Sequence, residues 1–443
     1  MKSLIILLII SLFFLFVNLT INSYDIMHPS VIYCMIVFIH VVICIFAQAR
    51  FAINIHIPTI LVFLTSDFIF TFASIIGICK KKEAAEKEEL KEIPISNALF
   101  IILAVMQIIV IVLFYQYLKR IAIMFGSSTS LTEMINLYNN VTKFWYVTIP
   151  FEESMVFRIL NPFCHAATFV ALYVFVNNLV AVRKFNPLPL INVLLWSLQV
   201  VLNGSRSPLG RMFMAAVFLF YILNRKYRPD QFSNRRFIKK ALRWIMVFAV
   251  LMILVVNFIR IPNQNTRIGD YIFNYTGANI VNLDNYLMRN HFLLIGQSRP
   301  SFGAATFFQA YGWLAKYHIF NVKDYSDLAR FSFSNGIEIG NVYTTFANFI
   351  YDFGYIGVLP LFSILAFFYS GMYKRSQDTK VSGKINIYIL IYAYLFFDLC
   401  MLLFSNNFYN AIANMEFVKY FLMTVFIIIC LRFLERFKFK NYI

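Results

Sequence analysis

The stretch SNALFIILAVMQIIVIVLFYQYL, residues 96–118, contains no charged side chain. An α-helix needs a run of about 20 apolar residues to cross the hydrocarbon core of a bilayer. Comparable runs recur along the whole chain, so we predict an all-α polytopic integral membrane protein, a single membrane domain over residues 1–443, with about 11 (10–12) transmembrane helices. The predicted spans are roughly 3–20, 31–48, 57–78, 96–118, 163–182, 188–203, 209–224, 242–260, 341–373, 384–404 and 415–434.

Composition supports this prediction and excludes other classes of protein. Hydrophobic residues make up 60% of the chain and charged residues 14%, with a mean hydropathy of +0.70. Soluble domains are about half apolar and about a quarter charged. The net charge of +18 is concentrated in a few short loops, which is typical of a membrane protein and not of a nucleic-acid-binding surface. The six cysteines form no C-x-x-C pair, so we expect neither a structural zinc site nor a disulfide framework.

The distribution of lysine and arginine predicts the orientation. The loop at 225–241 is the most basic in the chain and is predicted to be cytoplasmic. Two long segments then fall on the outer face: an interfacial amphipathic stretch at 119–162 and one large extracytoplasmic loop at 261–340. In a chain whose other loops are short, a loop of that length is usually functional. The orientation of the N-terminus stays open, because the span count places it outside whereas Lys2 favours the inside.

The octet GSRSPLGR, residues 204–211, separates two of the predicted spans. Its arginines lie on the predicted outer face, where arginine is not expected. Ser207 is predicted to cap a helix that starts at Pro208, and the positive end of that helix then points outward. Arg206 and Arg211 flank this helix start, and an arginine fork at a helix N-terminus suits phosphate or pyrophosphate. The alternative is that these arginines reach lipid headgroup phosphates or pair with a carboxylate.

Two further arginines follow the predicted eighth span on the same outer face, Arg260 and Arg267. Adjacent spans therefore bring several guanidinium groups to one surface. We predict that Arg260, with Arg267 as a weaker member, adds to the phosphate-binding group.

The ninth predicted span is interrupted. The sequence SNGIEIGNVYTTFANFIYDFGYIGVLPLF, residues 334–362, contains four glycines before its proline and an aspartate in mid-run. Broken helices at membrane depth are tolerated where they face protein or a water-filled cavity. We predict a short helix or re-entrant segment at 341–351, a turn at 352–354, and then the true span. Glu338 and Asp352 are the acidic candidates, each as a general base or as a partner that caps a helix or neutralises an arginine.

These motifs resemble those of a known family. The stretch Gly204-Ser205-Arg206 is similar to a GSR-like stretch that opens a helix in bacterial O-antigen and capsular polysaccharide repeat-unit polymerases (Wzy type). The later pattern of that family, roughly GNVYT…DFG..G, is matched by residues 340–344 and 352–354 with Gly357. The chain also resembles the family in its many spans and its large outer loop.

The resemblance implies a GT-C-like membrane glycosyltransferase that uses no metal, no cofactor and no nucleotide sugar. Such an enzyme moves a growing glycan from undecaprenyl pyrophosphate onto the non-reducing end of a new lipid-linked repeat unit, on the periplasmic face of the bacterial cytoplasmic membrane. Its expected partners are the lipid-linked oligosaccharide and membrane lipid, with a chain-length regulator protein as a further candidate. The catalytic residues would be Arg206, Arg211, Glu338 and Asp352, and the substrate-binding residues Gly204, Ser205, Arg260, Arg267, Asn341 and Tyr343.

Three alternatives remain from the sequence. An O-antigen ligase uses the same donor with a different acceptor, and only the later GNVYT…DFG pattern favours the polymerase. A lipid-linked oligosaccharide flippase would show repeat symmetry and little extramembrane mass, whereas this chain shows no repeat. An integral-membrane acyltransferase would be expected to carry a prominent intramembrane histidine, and we interpret His40 and His165 as packing or interface residues.

Overall fold

The computed structural model describes residues 1–78, 91–126, 130–143, 149–227, 268–289, 303–319, 331–381 and 383–440. Within these ranges the chain is almost entirely helical, with one two-stranded antiparallel hairpin. The elements are α1 (Lys2–Ile21), α2 (Pro29–Phe51), α3 (Ile57–Ile78), α4 (Asn97–Met124), α5 (Leu131–Lys143), α6 (Met155–Ala181), α7 (Pro187–Leu202), α8 (Ser207–Tyr227), α9 (Ile268–Thr276), α10 (Ala278–Arg289), α11 (Phe308–Lys316), β1 (Ser332–Ser334), β2 (Ile337–Gly340), α12 (Thr345–Asp378), α13 (Ile387–Cys400), α14 (Asn407–Ile412) and α15 (Met415–Lys440).

Eight of the described helices are long and apolar enough to cross a membrane: α1, α2, α3, α4, α6, α8, α12 and α15. Two shorter apolar helices, α7 and α13, coincide with two more of the predicted spans. The predicted span at 242–260 lies outside the described residues. The chain is therefore an all-α polytopic membrane protein, as its apolar runs predict.

The chain divides into two compact units. Unit 1 comprises Met1–Ala84, Asn265–Asp378 and Leu395–Phe417, and unit 2 comprises Ala85–Gln264, Thr379–Tyr394 and Val418–Ile443.

Unit 1 is built on α1, α2 and α3, which pack on one another, and on α12, which packs on α3. Its core is aromatic: Tyr33 of α2 stacks on Phe70 of α3 with 4.7 Å between ring centroids, and both rings contact Phe362 of α12. The three rings therefore bring α2, α3 and α12 together in one aromatic cluster.

Helix α12 is broken as the sequence predicts. Gly354 adopts φ 71° and ψ −170°, a conformation that glycine reaches without a steric penalty. The start of the helix differs from the prediction, because it begins at Thr345 and not at 341. The residues before it form the β1–β2 hairpin, whose turn residues Asn335 and Gly336 both have positive φ, 51° and 71°. Two positive-φ residues of this type match the right-handed twist of a hairpin.

Unit 2 is built on α4, α6, α7 and α8, with α5 packed on α4. Gln107 of α4 donates hydrogen bonds from Nε2 to Thr168 Oγ1 of α6 at 2.9 Å and to the Asn192 carbonyl of α7 at 3.0 Å. The predicted interfacial stretch contains the amphipathic helix α5, which buries Met134, among other residues, and exposes Leu131.

The two loops named from the sequence are described in part. Of the basic loop at 225–241, the structure describes the last turn of α8. Of the large loop at 261–340, it describes α9, α10, α11 and the hairpin, so the described parts of this loop carry secondary structure of their own.

Candidate functional site

The arginine octet in unit 2 forms a tight turn between two helices. Gly204 has φ +63°, and its N–H donates to the Val201 carbonyl at 2.9 Å, which closes the end of α7. The next helix begins at Ser207, and the Gly210 N–H donates to the Arg206 carbonyl at 3.1 Å. Arg206 is thus the residue that caps α8, one position before the predicted cap at Ser207. The positive end of the α8 dipole lies beside Arg206 itself.

Helix α5 holds this turn in place. Asn139 donates from Nδ2 to the Gly204 carbonyl at 3.3 Å. A Cβ atom at position 204 would lie 1.8 Å from Asn139 Nδ2 and 2.8 Å from its Cγ. Glycine is therefore favoured at position 204 for two reasons, the positive φ of the backbone and the close approach of Asn139.

Arg211 lies one helical turn further along α8 and is held by an aromatic ring. Its guanidinium carbon is 4.5 Å from the centroid of the Tyr394 ring, and Nη1 donates to the Tyr394 carbonyl at 3.4 Å. Tyr394 in turn stacks on Tyr420 with 3.9 Å between centroids. This cation–π contact orients the guanidinium, which has five N–H donors in all. Arg206, Ser205 and Gly204 are half-buried in the adjoining turn.

Three of the predicted residues of unit 1 lie on or beside the hairpin. Glu338 is exposed on β2, opposite the exposed Phe333 of β1, so its carboxylate faces away from the core. Asn341 is exposed just after the strand. Tyr343 is half-buried and hydrogen-bonded to Ser332; burial raises the pKa of its phenol, and the nearby Arg289 acts in the opposite direction.

Asp352 is committed to the backbone of another segment. Its Oδ2 accepts the Thr306 N–H at 2.6 Å and its Oδ1 accepts the Ala305 N–H at 3.3 Å. Asn348, one turn earlier on α12, donates to the Ala305 carbonyl at 2.9 Å, and Asn406 donates to the Thr306 carbonyl at 2.6 Å. The carboxylate therefore anchors the turn that leads into α11. This contact is structural, which is one of the two roles that the sequence leaves open for Asp352.

The predicted site residues thus fall into three groups. Gly204, Ser205, Arg206 and Arg211 belong to unit 2. Glu338, Asn341, Tyr343 and Asp352 belong to unit 1. Arg260 and Arg267 lie outside the described residues.

One acid–base pair in unit 1 is missed by the sequence analysis. Asp284 of α10 is 2% exposed in its side chain and accepts three hydrogen bonds. The donors are the His56 N–H at 2.8 Å, His56 Nδ1 at 2.7 Å and Thr59 Oγ1 at 2.6 Å. The His56 side chain is 42% exposed, so its ring has an accessible edge. Because 228 positions separate the two residues, no local pattern could have paired them.

A second contact of this kind joins α2 to α9. Arg50 forms a bidentate ion pair with Asp270, through Nε and Nη2. The hairpin reaches the same helix end, where Ser334 Oγ donates to the Phe51 carbonyl at 2.6 Å and Asn335 Nδ2 to the Arg50 carbonyl at 3.0 Å. Parts of the large loop are therefore fixed to the end of α2 and the start of α3.

Among the described residues, no group of three or more His, Cys, Asp or Glu side chains is placed to hold a metal ion. No protein-family model, no curated protein and no solved structure matches this chain. The functional argument consequently rests on the chemistry of the residues themselves.

Proposed function

We propose that this protein is a polymerase of lipid-linked oligosaccharide repeat units, with a GT-C-like fold, in the cytoplasmic membrane of a bacterium. In this reaction an acceptor hydroxyl on a new lipid-linked repeat attacks the anomeric carbon of the growing glycan. The bond from that carbon to undecaprenyl pyrophosphate breaks, the hydroxyl proton passes to a base, and the carrier leaves as the pyrophosphate. The product is the glycan of an O-antigen or a capsule, made on the extracytoplasmic face.

The observation that carries the proposal is the geometry of the Gly204–Arg211 turn. A leaving pyrophosphate gains negative charge, and catalysis requires fixed positive groups that face the developing charge. The turn offers the Arg206 guanidinium at the cap of α8, the dipole of that helix, and Arg211 oriented by Tyr394. Asn139 and the positive-φ Gly204 hold the turn in one conformation, so little reorganisation is needed when the substrate binds.

The carboxylates that the sequence offers as bases, Glu338 and Asp352, both belong to unit 1. Glu338 is the proposed proton acceptor, because its carboxylate is exposed. Asp352 is assigned a structural role, since its oxygens accept two backbone N–H groups. His56 is a further candidate, because Asp284 fixes its Nδ1 and leaves the other ring nitrogen for chemistry. Asn341 and Tyr343 are proposed to hydrogen-bond sugar or phosphate.

The test is a deletion of the gene, complemented with variants and analysed by glycan gels. The deletion strain should lose the polymer ladder and retain a single-repeat species. Arg206→Ala should fail to restore the ladder, and Arg206→Lys should restore little, because lysine cannot supply a bidentate fork. Arg158→Ala is the matched control, since Arg158 lies in the same unit and its ion pair among the described residues is the exposed one with Glu152. A normal ladder in the deletion strain would refute the proposal.

The same gels separate the polymerase from its alternatives. Polymer that accumulates on the carrier lipid in the deletion strain would indicate a ligase. Loss of all surface glycan, with lipid-linked single repeats retained inside the cell, would indicate a flippase.

A further inference from the structure

A carboxyl group is buried in the middle of one membrane-spanning helix. Asp67 lies near the centre of α3, within the apolar span Ile57–Gly77, and its side chain is completely buried. An ionisable residue at such a position is rare because burying an unpaired charge is costly, and it usually marks a functional site. The proposed polymerase chemistry does not use it.

The hydrogen bonds of Asp67 differ from those of the other buried carboxylates in unit 1. Its Oδ1 accepts a long contact from Cys34 Sγ at 3.6 Å, and its Oδ2 has no partner among the described residues. Asp284, by contrast, accepts an N–H, an imidazole and a hydroxyl, and Asp270 accepts the Arg50 guanidinium. Strong donors stabilise a carboxylate, and a single thiol is a weak donor.

The neighbours of Asp67 are short of donors. Asn18 of α1 donates from Nδ2 to Thr71 Oγ1 at 2.8 Å and to Cys34 Sγ at 3.5 Å. Its Oδ1, like Asp67 Oδ2, has no partner in the described part of the chain. Thr71 Oγ1 donates to the Asp67 carbonyl at 2.7 Å. An ionised Asp67 would have the weak Cys34 thiol as the donor to Oδ1 and none to Oδ2 among the described residues, whereas a protonated carboxyl group carries less charge to compensate.

Among the described residues near Asp67, the helices packed around α3 present no positive charge that could compensate a carboxylate. From α1 the facing polar group is Asn18, and from α2 they are Cys34 and Tyr33, whose hydroxyl contacts Ser66 at 2.6 Å. From α10 the facing group is the Asp284 carboxylate, which accepts from Thr59 Oγ1 at 2.6 Å. From α12 the Tyr355 hydroxyl contacts Thr65 Oγ1 at 2.7 Å, and the ammonium of Lys374 donates to the Gly77 carbonyl at 2.6 Å. Gly77 is ten residues along the helix from Asp67, about 15 Å away.

A line of buried polar side chains connects this region to the end of the helix bundle. Asn22 Nδ2 donates to the Asn18 carbonyl at 2.8 Å and to Ser30 Oγ at 3.2 Å, and its Oδ1 accepts Ser74 Oγ at 2.9 Å. Ser30 Oγ contacts the half-exposed His28 ring nitrogen Nδ1 at 2.8 Å. The seam between α1, α2 and α3 is therefore polar from Asp67 to the start of α2.

We propose that Asp67 is a proton-binding site in the membrane interior, which holds its proton at neutral pH. The neutral acid leaves at most one hydroxyl without a partner, at a cost of a few kcal/mol, whereas an unpaired carboxylate in a low-dielectric interior costs far more. The site is independent of the polymerase proposal, since it rests on the packing of α1, α2 and α3 alone.

The first test is labelling of the full-length protein, in detergent, with the apolar reagent dicyclohexylcarbodiimide. A protonated carboxyl adds across the C=N bond: its oxygen bonds to the central carbon, its proton moves to a nitrogen, and no group leaves. Labelling of the peptide that contains Asp67 should exceed that of the peptide with Asp284 by about tenfold or more. One hydrogen bond to an ionised carboxylate, worth about 1.4 kcal/mol, is enough to lower the protonated fraction of Asp284 by that factor. Equal labelling of the two peptides would overturn the proposal.

The second test does not depend on reagent access or on a stable variant. The infrared spectrum at neutral pH should contain the carbonyl band of a protonated carboxylic acid, and raising the pH to strongly alkaline values should remove it. Asp67→Asn should remove the band at neutral pH, while Asp284→Asn should leave it. If the wild-type protein lacks this band at neutral pH, the proposal is refuted, whatever the result of the labelling experiment.

Discussion

Replacing Gly204 by alanine should destabilise the arginine turn by about 2–4 kcal/mol. The positive φ of 63° costs a residue with a Cβ about 1–2 kcal/mol. The new Cβ would lie 1.8 Å from Asn139 Nδ2, so Asn139 must move; the crowding and the lost hydrogen bond to the Gly204 carbonyl together cost about 1–2 kcal/mol. Equilibrium unfolding in mixed detergent micelles measures the loss, and the same variant should weaken the glycan ladder.

Gly126→Ala is the matched control for this substitution. Gly126 has the same φ of +63°, but no described atom lies within 4 Å of the position that its Cβ would take. The difference between the two variants should therefore report the crowding by Asn139 and Ile135, at about 1–2 kcal/mol. Combining Gly204→Ala with Asn139→Ala should bring the cost of the glycine change closer to that at Gly126, with the contact to Ile135 Cγ2 at 3.0 Å left in place. Equal losses for the two single glycine variants would refute the reasoning.

Substitutions at three further residues test the described contacts. Asp284→Ala should lower the free energy of unfolding by about 2–4 kcal/mol, because three hydrogen bonds to a buried carboxylate are lost, and Asp284→Asn should lower it less. An unchanged free energy of unfolding in the alanine variant would contradict the anchoring role. Asp352→Ala should expose the chain around residues 303–307 to proteases, since two backbone N–H groups lose their acceptor, and unchanged proteolysis would argue against it. Burial raises the pKa of Tyr343, so the folded state binds the phenol proton more tightly than the unfolded state does. The free energy of unfolding should therefore be constant below the ordinary phenol pKa of 10 and should fall as the pH rises through the pKa of the folded state, and Tyr343→Phe should reduce this fall.

The transmembrane helices are the part of the fold that the sequence predicts best. Ten of the eleven predicted spans coincide with described helices, because an apolar run of sufficient length is a local signal that needs no tertiary information. The break at Gly354 is local too, since a glycine with its neighbours is enough to indicate it. The hairpin before it was missed, although Asn335-Gly336 between alternating residues is a hairpin signal.

The site is predicted less completely, because its contacts are long-range. Nothing near Gly204 in sequence indicates that Asn139 will pack on it, and nothing near His56 indicates Asp284. Asp352 was recognised as unusual, but its partners at residues 305 and 306 could not be predicted. Asp67 is different, because an ionisable residue inside the third apolar span is visible in the sequence itself.

The most direct test of the polymerase proposal is reconstitution of the purified protein in liposomes with lipid-linked repeat units as the only glycan. We expect a ladder of polymer, with one undecaprenyl pyrophosphate released for each glycosidic bond formed, and no requirement for a nucleotide sugar. The Arg206→Ala protein should form no ladder, whereas Arg158→Ala should behave as the wild type. Polymer formation that is unchanged by Arg206→Ala, or no polymer from folded wild-type protein, would contradict the account.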